Sequence, residues 1–153
     1  MDRTKRSKVA QSPVGVALKR LGQRPYTSRE ISDYLTRKQY LPADVQATIS
    51  RLTELGYLND FEAAQATIRY RLRHPRGRRL VAQELRHRGL DQETVDAALS
   101  AYDESALAEQ LASRLAAQGK SKEAVQRALA SRGFASSSVF AATADLAADG
   151  DLS

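Results

Sequence analysis

The stretch Arg79-Leu80-Val81-Ala82-Gln83-Glu84-Leu85-Arg86-His87-Arg88-Gly89-Leu90, together with Asp91 to Leu99 behind it, occurs in three related copies along this chain. The earlier copy runs from Glu30 to Ile49 and the later one from Ala124 to Val139. The step between equivalent leucines is 50 residues from the first copy to the second and 44 residues from the second to the third. The apolar positions match as Ile31, Val81 and Val125; Leu35, Leu85 and Leu129; Tyr40, Leu90 and Phe134; and Val45, Val95 and Val139. Repeats of this length are typical of stacked supersecondary units that present an extended surface to a large partner.

The apolar residues inside each copy recur at helical spacing, and sustained period-two alternation is absent. This pattern predicts an all-α protein made of three tandem three-helix, helix-turn-helix-like repeats in an elongated, curved array. In the second copy, the apolar stripes of the three helices are Ala64, Ile68 and Leu72; Val81 and Leu85; and Val95, Ala98, Leu99 and Tyr102. We expect repeats at 12–58, 59–102 and 103–148, a flexible basic tail at 1–11 and a frayed end at 149–153.

Capping signals predict where the helices begin and end. Thr27 followed by Glu30 is a capping-box pattern, in which the hydroxyl and the carboxylate each accept from an otherwise unpaired amide. Asn59 and Asp60 stand together before another helical stripe, and we interpret that pair as helix capping. The remaining signals are Asp91 and Pro42 at helix starts and Gly89 and Gly133 just after helix ends.

The composition excludes several classes of site. The 153 residues include no cysteine and two histidines, His74 and His87, whose spacing matches no metal-ligand pattern. Phosphate-binding glycine loops, nucleophile elbows and His-Glu-x-x-His motifs are also missing. We therefore predict no metal, no cofactor and no enzyme activity. No stretch approaches the roughly 20 apolar residues that a membrane span needs, so we expect a cytoplasmic protein without membrane contact.

Arginines crowd the middle of the chain. The net charge is +6, and between Arg69 and Leu90 only Glu84 opposes the basic residues. Pro75 and Gly77 hold several of these arginines near one bend, and guanidinium groups suit phosphates and carboxylates. We predict a surface for a partner protein or polyanion, although a solvated helix end with a charged turn is the alternative. The candidate residues are Arg69, Arg71, Arg73, Arg76, Arg78 and Arg79, with Arg86 and Arg88 as a second rank.

Several aromatic residues could stack on nucleic-acid bases. However, Tyr40 and Phe134 occupy the repeat position that Leu90 holds, which favours the core for both. Tyr70 lies between arginines and off the apolar stripe of its helix, so both interpretations stay open for it.

Three short stretches resemble the RecX family, the bacterial regulators of the recombinase RecA. They are Ser28-Arg29-Glu30-Ile31 with Leu35 and Lys38; Leu55-Gly56-Tyr57-Leu58-Asn59-Asp60; and Gly77-Arg78-Arg79-Leu80 with Glu84-Leu85 and Arg88-Gly89-Leu90. The resemblance spans roughly Ala17 to Leu146. The chain departs from the pattern at Gln39, where the other copies have glycine, and at Ala63, where an aromatic residue is usual. The resemblance implies binding in the groove of the RecA filament on single-stranded DNA. It also implies inhibition of ATP hydrolysis, strand exchange and co-protease activity in recombination and DNA repair.

Three functions are compatible with these features. The preferred hypothesis is a monomeric negative modulator of RecA, with possible weak direct binding to DNA. The second is a tandem helix-turn-helix DNA-binding protein. The helix after Arg88-Gly89-Leu90 argues against it, because that helix carries Glu93 and Asp96 and no arginine follows until after Leu107. The third is a helical scaffold for an unrelated acidic partner.

Overall fold

The computed structural model describes residues 11–147, and all regular secondary structure in that range is α-helical. The helices are α1 (Pro13–Leu21), α2 (Ser28–Arg37), α3 (Pro42–Glu54), α4 (Asp60–Arg73), α5 (Arg78–His87), α6 (Gln92–Leu99), α7 (Glu104–Ala117), α8 (Lys122–Ser131) and α9 (Ser136–Thr143). The predicted all-α fold is confirmed. The expected tail, apart from Gln11, and the expected frayed end lie outside the described residues. None of these helices is both long and apolar enough to cross a membrane.

The helices pack in three consecutive groups of three. Close packing joins α1, α2 and α3, then α4, α5 and α6, then α7, α8 and α9. We call these groups unit 1, unit 2 and unit 3. The limits expected at 58/59 and 102/103 fall in the short loops between α3 and α4 and between α6 and α7.

The predicted caps are confirmed. The Thr27–Glu30 capping box is complete, and the side chains of Asn59 and Asp91 accept from the amides of Glu62 and Thr94. Pro42 is the first residue of α3. Gly89 and Gly133 follow their helices with φ of 91° and 81°, and Gln39 takes the same left-handed conformation with φ of 71°. Local signals thus define most helix boundaries.

The buried apolar side chains form two clusters. One lies inside unit 1 and includes Ile31, Leu35 and Leu52. The other is continuous through units 2 and 3 and includes residues from Ala64 to Val139. Units 2 and 3 therefore share a core, whereas unit 1 has its own.

One predicted core position is corrected, and another lies at the edge of the core. Leu72 is 48% exposed and lies in the last turn of α4, one residue before the helix ends. Tyr40 is half-buried and packs against the core of unit 1, while its hydroxyl donates to the carbonyl oxygen of Gln11 at 2.9 Å. Phe134, its repeat equivalent, is buried as predicted.

The repeat extends to the contacts between the units. The Thr27 hydroxyl of unit 1 donates to the Arg88 carbonyl of unit 2 at 2.6 Å. Gly77 stands 50 residues after Thr27, and Arg132 stands 44 residues after Arg88, so both pairs occupy equivalent repeat positions. The Gly77 amide of unit 2 donates to the Arg132 carbonyl of unit 3 at 2.9 Å. Units 1 and 2 therefore each place the start of their second helix against the turn before the third helix of the next unit.

An acidic residue completes each junction. Asp60, the first residue of α4, accepts from the Ser28 amide at 2.7 Å, and Glu104, the first residue of α7, accepts from the Arg78 amide at 2.9 Å. Both donors are first-turn amides with no partner inside their own helix. Asp60 is thus a helix cap, as predicted, but for the helix of the preceding unit.

Candidate partner-binding surface

The arginine-rich bend is a rigid part of the molecule. We call residues 69–79 the arginine arm; it comprises the end of α4, the turn and the start of α5. The hydroxyl of Tyr102 donates to the Arg76 carbonyl at 2.6 Å and accepts from the Arg76 amide at 3.3 Å. Burial raises the pKa of Tyr102, so its hydroxyl stays protonated and keeps both bonds. With the bond from the Gly77 amide to unit 3, these contacts fix the turn.

Five of the eight candidate arginines are available on the surface. They are exposed, and their guanidinium groups form neither an ion pair nor a hydrogen bond to a backbone carbonyl of another described residue. They are Arg69, Arg73, Arg76 and Arg79 in the arm and Arg86 on α5. The arm therefore concentrates four cationic side chains around one bend, as the sequence pattern predicts.

Two members of the arm direct their guanidinium groups into the fold. Arg71 forms a two-point ion pair with Glu84, with Nε–Oε2 and Nη2–Oε1 distances of 2.9 and 3.2 Å, and its side chain is 12% exposed. Arg78 donates to the carbonyl oxygens of Leu99 at 2.6 Å and Tyr102 at 3.2 Å, where α6 ends. Both arginines hold unit 2 together, because their donors are used internally.

Arg88 is placed at the junction of units 1 and 2 instead of on the arm. Its side chain is 13% exposed, and it donates to Glu30 at 2.9 Å, to the Thr67 hydroxyl at 2.7 Å and to the Pro25 carbonyl at 3.0 Å. Burial alone would raise the pKa of Glu30, but the bonds from Arg88 and the Thr27 amide and the charges of Arg88 and Arg24 lower it overall. The pair is therefore ionised and joins the two units.

The arm also offers side chains that are not charged. Tyr70 is 46% exposed and Leu72 is 48% exposed, and they alternate with the arginines along the end of α4. The Tyr70 ring lies 4.5 Å from the His74 ring and 4.9 Å from the Arg71 guanidinium. Aromatic and arginine side chains together are typical of the residues that dominate protein–protein interfaces.

The described residues contain no arrangement suited to metal chemistry. No group of three or more His, Cys, Asp or Glu side chains within residues 11–147 could hold a metal ion. What the arm can do is to bind an anionic and partly apolar surface.

A comparison with known proteins gives consistent results. Residues 15–52 match the family model described as the first three-helix domain of RecX, and residues 59–99 match the second. A regulatory protein RecX of Halorhodospira halophila is 34% identical over 142 residues, which are 88% of this chain and 87% of the relative. One from Mycolicibacterium smegmatis is 39% identical over 93 residues. That match covers 60% of this chain and about half, 49%, of the length of the relative.

Solved structures agree on the fold. The crystal structure of RecX from Lactobacillus salivarius superimposes with a TM-score of 0.75, covering 88% of this chain and 94% of the other, at 21% identity. At this identity the likeness concerns the fold alone. The two matched domains, together with a relative that is 34% identical over most of both chains, place this chain in the RecX family of regulatory proteins.

Proposed function

We propose that this protein is a cytoplasmic regulator of the recombinase RecA and that it acts by binding the RecA–DNA filament. The membership in the RecX family supports a regulatory role. The observation that carries the binding mode is the arginine arm. It combines four exposed arginines with the exposed Tyr70 and Leu72 on a turn that is held by Tyr102 and by a hydrogen bond to unit 3. Such a surface suits a large acidic partner better than a small molecule.

The proposed effect is negative regulation without catalysis. A protein that binds one conformation of a filament better than another shifts the filament toward that conformation. Binding of this chain as a monomer would in this way reduce ATP hydrolysis, strand exchange and co-protease activity.

A tandem helix-turn-helix DNA reader is the second candidate, and the charge on α6 disfavours it. In unit 2 the helix equivalent to a recognition helix is α6, where Glu93 and Asp96 are exposed. Two carboxylates would face the phosphates at the edge of the major groove and weaken the binding.

The test is a charge reversal that spares the fold. We choose Arg73→Glu, Arg76→Glu and Arg79→Glu and leave Arg78 intact, because Arg78 caps the end of α6. Three exposed contacts of roughly 0.5–1 kcal/mol each correspond to about a tenfold or larger change in binding. We therefore expect about ten times more of the variant to be needed for half-inhibition of the DNA-dependent ATPase of RecA.

A matched control carries the same charge change elsewhere. Arg51→Glu, Arg114→Glu and Arg127→Glu change exposed positions of α3, α7 and α8, which are helices outside the arm. This variant should inhibit like the original protein, with helicity unchanged in both. If the arm variant inhibited RecA as strongly as the original protein, the proposed role of the arm would be refuted. A pull-down with RecA filaments, free RecA and bare DNA tests the partner itself.

A further inference from the structure

Units 2 and 3 each receive the preceding unit on the turn between their second and third helices. A Cβ atom added at Gly89 would overlap the side chain of Arg29, and one added at Gly133 would overlap that of Leu80. The glycines are therefore needed both for a positive φ and for the close approach of the preceding unit.

The equivalent face of unit 1 is open among the described residues. Fifty residues before Arg88 and Gly89 stand Lys38 and Gln39, both of them exposed. Gln39 carries a side chain where docking requires glycine. The first residue of α1 is Pro13, whereas the first residue of α4 or α7 is an acid that accepts from the preceding unit. This face therefore lacks both the glycine and the acidic residue with which units 2 and 3 receive the preceding unit.

A basic groove occupies the open face. It consists of two adjoining depressions of about 360 and 410 Å³, and both are lined by Gln11, Tyr34 and Lys38. The charged residues that line them are Lys19, Arg20, Arg37 and Lys38, and no described carboxylate is among the lining residues.

Two of the cations in this groove, Arg20 and Lys38, pack against an aromatic ring, and none of the four is neutralised by a described carboxylate. The Tyr34 ring lies 4.3 Å from the Arg20 guanidinium and 5.3 Å from Lys38 Nζ. The Nε of Arg20 is buried and has no hydrogen-bond partner. None of the four cations takes part in an ion pair with another described residue. An anion that entered the groove would therefore meet four unpaired charges, two of which are already positioned by Tyr34, so less ordering would oppose its binding.

We propose that this groove binds the phosphodiester backbone of single-stranded nucleic acid. Its charges are distributed over two connected depressions, which suits a chain of successive phosphates better than one isolated anion. Positively charged grooves of this kind follow the backbone of a single strand in proteins that do not read its sequence. The face of Tyr34 is already used by cations, so the groove contacts phosphates and not bases.

The test measures binding of a fluorescein-labelled oligo-dT of about 15 nucleotides, within the range of known single-strand sites, by fluorescence anisotropy with the full chain. The groove variant is Lys19→Gln, Arg37→Gln and Lys38→Gln, which leaves the packed Arg20 intact. We expect its Kd to rise about tenfold or more, and the slope of log K against log salt to fall by about 2, since each phosphate contact on a single strand contributes about 0.7. A duplex of the same length should lose less affinity.

The control variant removes the same charge from other exposed positions, as Arg51→Gln, Arg114→Gln and Arg127→Gln. It should change the Kd less than twofold. Three results would overturn the proposal. The first is that the original protein does not bind the oligonucleotide, and the second is that the groove and control variants lose equal affinity for it. The third is a groove variant that loses as much affinity for the duplex as for the single strand. The assay contains no RecA, so its outcome is independent of the function proposed above.

Discussion

At the scale of single residues, the Glu30–Arg88 pair determines how unit 1 is joined to unit 2. Arg88 contacts the capping-box carboxylate of α2 and the Thr67 hydroxyl of α4 with one guanidinium group. Both side chains of the pair are mostly shielded from water, at 13% and 25% exposure. Removing one partner of such a pair leaves a poorly solvated charge, which costs more than the pair itself contributes.

This pair predicts a pH dependence of stability. The pKa of Glu30 is lowered from its ordinary value of 4.5 in the folded protein. The unfolded chain therefore binds a proton more readily, and the contribution of Glu30 is present above pH 4.5 and is lost as the pH falls through its folded pKa. We expect the free energy of unfolding, measured in urea between about pH 6 and about pH 3, to fall more steeply for the original protein than for Glu30→Gln.

The control for this experiment is Glu109→Gln, at an exposed position of α7. Its pH profile should run parallel to that of the original protein. Parallel profiles for all three proteins would mean that Glu30 does not couple protonation to folding.

At the scale of elements, the turns between helices act as docking sites as well as connections. Gly77, the N-cap of α5, has an ordinary φ of −59°, so its backbone alone does not require glycine. A Cβ atom there would overlap the Gly133 carbonyl of unit 3. The absence of a side chain at Gly77 thus allows two backbones to approach and the Gly77–Arg132 bond to form.

Alanine substitutions at two glycines separate docking from backbone strain. Gly77→Ala should destabilise by about 2–3 kcal/mol, because the backbone of unit 3 must move. Gly119 has a φ of 86°, but a Cβ added there would meet open space. Gly119→Ala should therefore lower the stability only by the strain of the left-handed conformation, roughly 1 kcal/mol. Urea unfolding followed by circular dichroism compares them. If Gly119→Ala proves the more costly of the two, the close approach at Gly77 does not control docking.

The sequence predicts elements better than it predicts the contacts between them. Thr27, Asn59 and Asp91 were identifiable as caps because a cap depends on residues three positions apart. Nothing local distinguishes the exposed Arg79 from the paired Arg88, since their partners lie many residues away. Gln39 departs from the glycine pattern because its turn receives no preceding unit among the described residues.

At the scale of the whole molecule, the two separate cores lead us to expect that unit 1 can open without units 2 and 3. Units 2 and 3 share apolar contacts, whereas unit 1 meets unit 2 largely through hydrogen bonds and the Glu30–Arg88 pair. In a repeat protein, stability is a sum of unit terms and interface terms, and a polar interface couples its neighbours less strongly than a shared core.

Two equivalent substitutions test this division. Leu35→Ala and Leu129→Ala remove fully buried side chains at the same repeat position in units 1 and 3, and each should cost about 2–5 kcal/mol. Native-state hydrogen exchange, read by mass spectrometry, reports local opening of each helix. Leu129→Ala should accelerate exchange in α4–α6 as well as in α7–α9, because the core is common to both units. Leu35→Ala should accelerate exchange in α1–α3 and leave α7–α9 unchanged. If Leu129→Ala affected unit 3 alone, units 2 and 3 would be energetically independent despite their continuous core, and the arginine arm would not depend on unit 3 for its rigidity.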